Sequence, residues 1–321
     1  MTKTYLGLVA VALLASACGG EDTVSIPDPD AGGNDTGTNN DASTTTDGGT
    51  DGNTTTDGAT DGATTTDGGI FQVGSVTGLV LWLNAGKGVN VNNGVDAWAD
   101  QTSFKNDAKQ TIQGRRPTLA SSAINSLPAV HFDKGGSGNS NGQMVVIPDS
   151  VSMQWGTGDF FVVLVARYDN AVTDGNSRGV GVLFSKVAQA NTFAGPALYG
   201  NIPSLTVSNP TVGLDFSTQV TAGNYVVSAN AYNNGNPHAF AIQRVGTKLD
   251  LRVDSASIAT STGTGVDVST VGTPTRIGAD ADATNFRLNG DVAEVIAVKG
   301  ALSSNDQNGI QSYLKSKYAL P

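Results

Sequence analysis

Lys248-Leu249-Asp250-Leu251-Arg252-Val253-Asp254 is the stretch whose reading decides the fold. Leu249, Leu251 and Val253 are apolar, and every residue between them is charged. Successive side chains of a strand point to opposite faces, so the pattern predicts a strand with one face on a core and the other toward water. Apolar runs recur on both sides of it, at 79–83, 129–132, 144–147, 160–167, 181–185, 225–231, 238–244, 275–279 and 291–298. Clusters of Gly, Asn, Asp, Ser and Pro separate them, as in 135–142 and 233–237. Such residues suit turns because they accept positive φ or bond their own backbone. Nothing alternates strand with a dozen-residue helix, which argues against a parallel α/β fold. Many short strands with turn signals predict an all-β antiparallel sandwich of two sheets.

One short helix is predicted at the C-terminus. Ser303 supplies a cap and Asp306 places a carboxylate three residues on, near the N-terminal amides. Ile310, Tyr313, Leu314 and Tyr318 then share one face, while Lys315 and Lys317 sit at the negative end of the dipole. Gly309 costs about 1 kcal/mol relative to Ala, so packing on the sandwich must hold the helix.

The charge divides the chain at residue 70. Residues 19–69 carry eleven acidic groups and no Lys or Arg, whereas 70–321 carry 17 acidic and 17 basic residues. The net charge of −10 therefore belongs to the N-terminal part. Basic residues downstream are scattered, and the lone doublet Arg115-Arg116 reads as a solvated loop, so no nucleic-acid partner is implied. In 19–69 the large apolar side chains are Val24 and Ile26, too few to offset the entropy of ordering the backbone. Thr-Thr-Thr-Asp-Gly recurs at 44–48, 54–58 and 64–68 with no apolar position to stack on a neighbour, which excludes a solenoid. The Asp-Gly steps also lack the alternating carboxylates and terminal Glu of a calcium loop. A disordered acidic tether over 18–69 is the expectation, with a reach of roughly 40 Å. Weak calcium binding and O-glycosylation of its threonines remain open.

At the N-terminus, Lys3 precedes a nearly unbroken apolar run over 6–14, then Ala15-Ser16-Ala17 and Cys18, the sole cysteine of 321 residues. A run of nine residues is too short to span a bilayer, and a lone cysteine has no intrachain partner. The pattern is that of a signal peptide over 1–17. It resembles the lipobox of bacterial lipoproteins, with Ala15 where that family prefers Leu. The resemblance implies an acyl (palmitate) anchor on Cys18 that makes the lipid bilayer a partner; the alternative is plain secretion after Ala17. Gly19 resembles lipoproteins sent on to the outer membrane, since Asp at that place is the usual retention signal. The expected location is thus the outer membrane or cell surface.

Several downstream segments resemble bacterial LamG-like, concanavalin A-like domains. They are 79–84, Trp98-Ala99-Asp100-Gln101-Thr102 with Asn106-Asp107-Ala108, Arg116-Pro117-Thr118-Leu119, and Leu127-Pro128-Ala129-Val130-His131-Phe132-Asp133. Most specific are Asn289-Gly290-Asp291-Val292-Ala293-Glu294-Val295, Ala301-Leu302-Ser303 and Tyr313-Leu314-Lys315-Ser316-Lys317-Tyr318. The resemblance covers 78–320 and implies a jelly roll over 70–321 with a concave face. That superfamily includes lectins, adhesion modules and some glucanases, and fold alone selects none of them.

Glucanases of the superfamily carry paired acidic residues on one strand face. Here the nearest match is Asp291-Val292-Ala293-Glu294, and a spacing of three predicts side chains on opposite faces. A structural role for both carboxylates is expected. Gly175-Asn176-Ser177-Arg178-Gly179 matches a nucleophile elbow, but no strand-to-helix turn surrounds it, and His131 and His238 are the only bases on offer. The expectation is therefore of a protein that is not an enzyme. Two isolated histidines do not make a zinc site. Calcium is the one cofactor left open, at the oxygen-rich loop of Asp280, Asp282 and Asn285. Sugar recognition needs exposed aromatics beside polar loops. Trp155, Tyr199, Tyr225 and Tyr232 are the candidates, with Trp82 and Trp98 assigned to the core. The leading expectation is non-catalytic recognition of a glycan or glycoprotein. A structural or adhesive protein-contact module comes second, and a glycoside hydrolase a distant third.

Overall fold

The computed structural model describes residues 71–133, 135, 142–169, 181–188, 193–203, 212–219, 223–230, 232, 234–279 and 287–321. The signal segment, Cys18 and the tether lie outside the described residues. In chain order the strands are β1 (Leu79–Asn84), β2 (Val89–Val91), β3 (Val95–Trp98), β4 (Ala108–Lys109), β5 (Thr118–Ile124), β6 (Leu127–Phe132), β7 (Val145–Ile147), β8 (Phe160–Tyr168) and β9 (Gly181–Ser185). They continue as β10 (Ala197–Pro203), β11 (Val212–Ser217), β12 (Tyr225–Val227), β13 (Pro237–Val245), β14 (Lys248–Val253), β15 (Ala256–Thr262), β16 (Thr275–Ile277) and β17 (Gly290–Lys299), before helix α1 (Ser304–Tyr318). The first sheet runs β15-β14-β13-β8-β17-β6-β5, with β1 also on β17; the second runs β12-β11-β10-β9-β16-β7-β4-β3-β2. All these pairings are antiparallel. The fold is the all-β, two-sheet antiparallel sandwich with one short C-terminal helix that the alternation predicts.

Between the sheets lies the main core. Phe160, Val162, Leu164 and Ala166 of β8 and Leu249, Leu251 and Val253 of β14 meet Trp98, Phe184, Leu198 and Phe216 of the second sheet. The inward half of the β14 reading is therefore correct. The outward half is not: Asp250 is only 8% exposed. Its carboxylate accepts from Arg252 Nη1 at 2.9 Å and Ser257 Oγ at 2.5 Å, so a neighbouring strand and its own strand cover it in place of water.

A second core seals the outer face of the first sheet. Phe161, Val163, Val165, Ala293, Ile296 and Val298 pack against Ile310, Leu314 and Tyr318 of α1, joined by Val73 and Val76 from the entry segment. The predicted cap forms: Ser303 Oγ accepts from Asp306 N at 3.0 Å and donates to the Asp306 carboxylate at 2.7 Å. Gly309 has its reason here as well. A Cβ at that position would come within 2.3 Å of the Phe71 ring, so glycine is what lets the entry segment cross the helix.

Asp100 explains much of the sequence of 98–108. Buried at 1% exposure, it accepts from Trp82 N, Thr102 N, Thr102 Oγ1 and Asn106 N at 2.6–3.0 Å. Asn106 Nδ2 then donates to Val80 O at 2.8 Å. These bonds lay the loop along the edge of β1 and satisfy backbone groups that an edge strand would leave open.

Candidate functional site

α1 covers the centre of the first sheet's outer face, whereas the outer face of the second sheet carries strand-borne aromatics. Its side chains follow from register. Trp98, Ala108, Ile147, Ile277, Phe184, Leu198, Phe216 and Val226 point into the core, so their strand neighbours point outward. The pairings align Tyr225, Ser217, Ala197, Ser185, Arg276, Val146, Lys109, Ala97 and Asn90 in one outward row crossing β12, β11, β10, β9, β16, β7, β4, β3 and β2. Tyr199 lies two residues along β10 from Ala197, on the same face. Two strand spacings and two residues put Tyr199 and Tyr225 about 12 Å apart at Cα.

The middle of the row is closed. Ala197 and Ser185 have 0% exposure and Ser217 has 7%. Tyr225 and Tyr199 are half-buried on one side; on the other, Arg276 and Val146 are half-buried and Lys109 is exposed. The row therefore has two half-buried aromatic rings at one end, small side chains covered by other residues in the middle, and two cations toward the other end. Ser185 Oγ is buried with no hydrogen-bond partner, and at 0% exposure it lies beneath other residues and is not open to a ligand.

The other aromatic candidates lie elsewhere. Trp155 is not on a rim: at 1% exposure its ring lies 5.6 Å from Phe160 and 6.5 Å from Phe184, centroid to centroid. The cause is the loop before β8, which turns the indole into the end of the core. Tyr232 is half-buried and edge-on to His238 at 5.4 Å and Phe240 at 5.9 Å. It caps the core, and burial pushes its hydroxyl pKa up. Asp280, Asp282, Asn285 and the Gly175 to Gly179 motif lie outside the described residues. Among the described residues no group of three or more His, Cys, Asp or Glu is placed to hold a metal.

The Asp291–Glu294 expectation needs correction. Val292 pairs with Ala166 and Glu294 with Val165, so Ala293 is an extra, bulged residue. The bulge resets the alternation, and both carboxylates face outward on the first sheet. They still do not converge on one cleft, because each is engaged by its own donors. Glu294 accepts from Trp82 Nε1, Tyr313 Oη, Lys317 Nζ and Tyr318 Oη. Asp291 bonds His131 Nδ1 at 3.0 Å and Arg167 Nε at 2.9 Å. His238 is likewise engaged, by Asp254 at 2.6 Å.

The His131–Asp291 pair has a pH signature. The hydrogen bond to Asp291 raises the His131 pKa above 6.5 against the opposing pull of burial. Burial opposes ionisation of Asp291, but the bond from His131 and the Arg167 charge hold its pKa below 3.8. The histidine contribution is present below pH 6.5 and fades as pH rises through the raised value. The aspartate contribution is present above pH 3.8 and fades as pH falls through the lowered one. Urea midpoints from pH 6 to 9 are therefore expected to fall more steeply for the natural chain than for His131→Gln; superimposable profiles would remove the ion pair from the account.

No protein-family model matches the chain, and no curated protein matches it. Solved structures do. The binding domain of Paraclostridial Mosquitocidal Protein 1 is 10% identical, over 77% of this chain and 53% of that one, with a TM-score of 0.49. Trypanosoma rangeli sialidase in complex with sialic acid is 13% identical, over 76% of this chain and 34% of that one, at 0.48. Domain 4 of AbnA, a GH43 extracellular arabinanase from Geobacillus stearothermophilus, in complex with arabinotriose, is 13% identical, over 73% and 98%, at 0.47. This chain thus spans about half of the first protein and a third of the second. With identities of 10–13% and TM-scores below 0.5, these likenesses assign no ligand or activity to the chain.

Proposed function

We propose that this protein is an outer-membrane or cell-surface lipoprotein, acylated at Cys18, whose LamG-like head recognises a glycan without acting on it. The observation that supports the reading is the placement of Tyr199 and Tyr225 on one sheet face, with Arg276 and Lys109 farther along the same outward row. A sugar offers apolar C–H faces and a rim of hydroxyls. Tyrosine rings serve the first and also carry a polar tip, while Arg and Lys donate to the second. The non-catalytic part of the reading is supported by the saturation of Asp291 and Glu294, since hydrolysis needs two carboxyls free to meet substrate. Calcium at Asp280, Asp282 and Asn285 stays an open alternative, which the chelator arm of the test addresses.

The test is a glycan-array screen of the protein with calcium and again with chelator. Binding to one sugar class is expected, weakened about threefold to tenfold by Tyr199→Ala or Tyr225→Ala, the loss of roughly one aromatic contact. Silence from folded protein in both conditions overturns the glycan reading. Anchoring is tested separately by Cys18→Ser, which should move the chain from the membrane to the soluble fraction.

A further inference from the structure

Among the described residues, eight large apolar side chains are exposed, and five of them project from one end of the sandwich. Phe104, Val151, Phe193, Val245 and Val271 are 54%, 79%, 45%, 52% and 74% exposed. Hydrogen bonds place their loops side by side. Asn106 Nδ2 donates to Ser152 Oγ at 2.9 Å, which sets the Phe104 loop against Val151. Lys299 Nζ donates to Val151 O at 3.0 Å, at the end of β17. Gly272 N donates to the Asp149 carboxylate at 2.7 Å, bringing Val271 to the same rim. Thr270 Oγ1 donates to Lys186 O at 3.1 Å, next to the turn that carries Phe193. Gly246 N donates to Asp159 Oδ1 at 2.7 Å, and so the β13–β14 turn with Val245 joins them.

These loops are braced. Lys186, whose side chain has 0% exposure, donates to Asp149 at 2.6 Å and to Thr273 O at 2.6 Å. The apolar tips are thus held outward on fixed supports, at a standing cost in exposed apolar surface. The other three exposed apolar residues, Val91, Ile112 and Leu119, belong to the opposite end. There Arg116 bonds both Gln110 O and Asn92 O, and Val95 N bonds Pro117 O.

From this crown we infer that the end of the sandwich formed by the loops of Phe104, Val151 and Val271 docks shallowly on a lipid bilayer. Each tip comes from a different loop and is flanked by polar residues such as Ser103, Ser152, Thr270 and Thr247. Separate apolar tips can each enter a fluid interface, whereas a protein partner would need a matching hollow for every one. Charge selects the kind of lipid. Lys105 adjoins Phe104, Lys299 donates to Val151 O and Lys248 closes the β13–β14 turn. Asp159 accepts from Gly246 N of that turn and Asp267 lies near Arg244, so both signs of charge are present and no anionic headgroup is required. The chain before the head supplies the setting. A tether of about 40 Å reach from a lipidated Cys18 would keep the head close to a membrane, where weak partitioning becomes effective.

The inference uses the anchored reading only for that local concentration, and its test omits the anchor. Residues 65–321 form a compact unit by themselves, so the chain from residue 18 carrying Cys18→Ser is the reagent. It is expected to co-sediment with phosphatidylcholine vesicles, with little change on raising salt. The pair Val151→Asp with Val271→Asp, both on exposed tips, is expected to reduce partitioning about tenfold. The pair Val91→Asp with Ile112→Asp, at the other end, leaves it unchanged. Failure of the unlipidated chain to bind vesicles overturns the inference, as does equal binding by the Val151/Val271 variant, or self-association through the crown in place of lipid binding. Glycan binding by the same variants, measured in parallel, keeps this result separate from the fate of the glycan reading.

Discussion

Glu294→Ala is expected to lower the free energy of unfolding by about 3–5 kcal/mol, the loss typical of removing one partner from a buried ion pair. The Glu294 side chain has 0% exposure, and Lys317 Nζ lies 2.7 Å from it. Trp82 Nε1 at 2.5 Å, Tyr318 Oη at 2.8 Å and Tyr313 Oη at 3.0 Å complete the set. One carboxylate thus ties β1 and α1 to β17. Burial, followed by the Glu294 charge, pushes the pKa of both tyrosines far up, so they act as donors at every ordinary pH. Alanine would leave the Trp82, Tyr313 and Tyr318 donors without their shared acceptor and Lys317 without its counter-charge, with only its bond to Tyr313 Oη kept. Glu294→Gln keeps the shape but loses the counter-charge of Lys317, and should cost less than alanine. Urea unfolding measures both. A Glu294→Ala variant within about 1 kcal/mol of the natural chain would show that apolar packing alone holds α1, by contacts such as Leu314 on the first sheet.

Trp155→Ala should cost a similar 3–5 kcal/mol, as expected for deleting a large buried aromatic. The indole fills the end of the core against Phe160 and Phe184, and the hole left behind cannot collapse between two braced sheets. Its Nε1 is buried with no hydrogen-bond partner, so Trp155→Phe surrenders volume but no hydrogen bond and should cost under about 1.5 kcal/mol. Ligand affinity of whatever fraction remains folded should be unchanged in both. A variant of natural stability that has lost glycan binding would falsify this placement and return Trp155 to a binding surface.

These contrasts locate what a reader of the chain can and cannot see. Leu249, Leu251 and Val253 announce an inward face because burial acts on each side chain alone and strand geometry repeats every two residues. The cap at Ser303 and the apolar stripe of α1 are legible for the same reason: their partners lie within one turn or on one face. Strands without a long apolar run are harder to read. β15, Ala-Ser-Ile-Ala-Thr-Ser-Thr, has only half-buried and exposed positions; it becomes a strand because β14 offers it a ladder. β10 and β11 on the second sheet, and the short β2 to β4, were likewise unmarked by any long apolar run.

The candidate site shows the same division. That Tyr199 and Tyr225 were aromatics worth attention could be read from residue type. That they share a face, while Trp155 turns into the core and Tyr232 caps it, could not, because facing depends on register with strands distant in sequence. Arg276, Ser185 and Lys109 carried no local signal at all; the ladder β9-β16-β7-β4 brings them into one row. Asp291 and Glu294 make the point most sharply. Simple alternation places them on opposite faces, and one bulged residue, Ala293, reverses that. By itself, then, the chain determined the two-sheet β architecture, the terminal helix and the split into an acidic apolar-poor segment and a neutral head, since these follow from composition and short-range periodicity. Tertiary structure alone decided which polar residues became structural pins and which aromatics reached the surface. A side chain's exposure is set by the neighbours that tertiary folding brings to it, and these lie far off in sequence, as Glu294 lies 212 positions from Trp82.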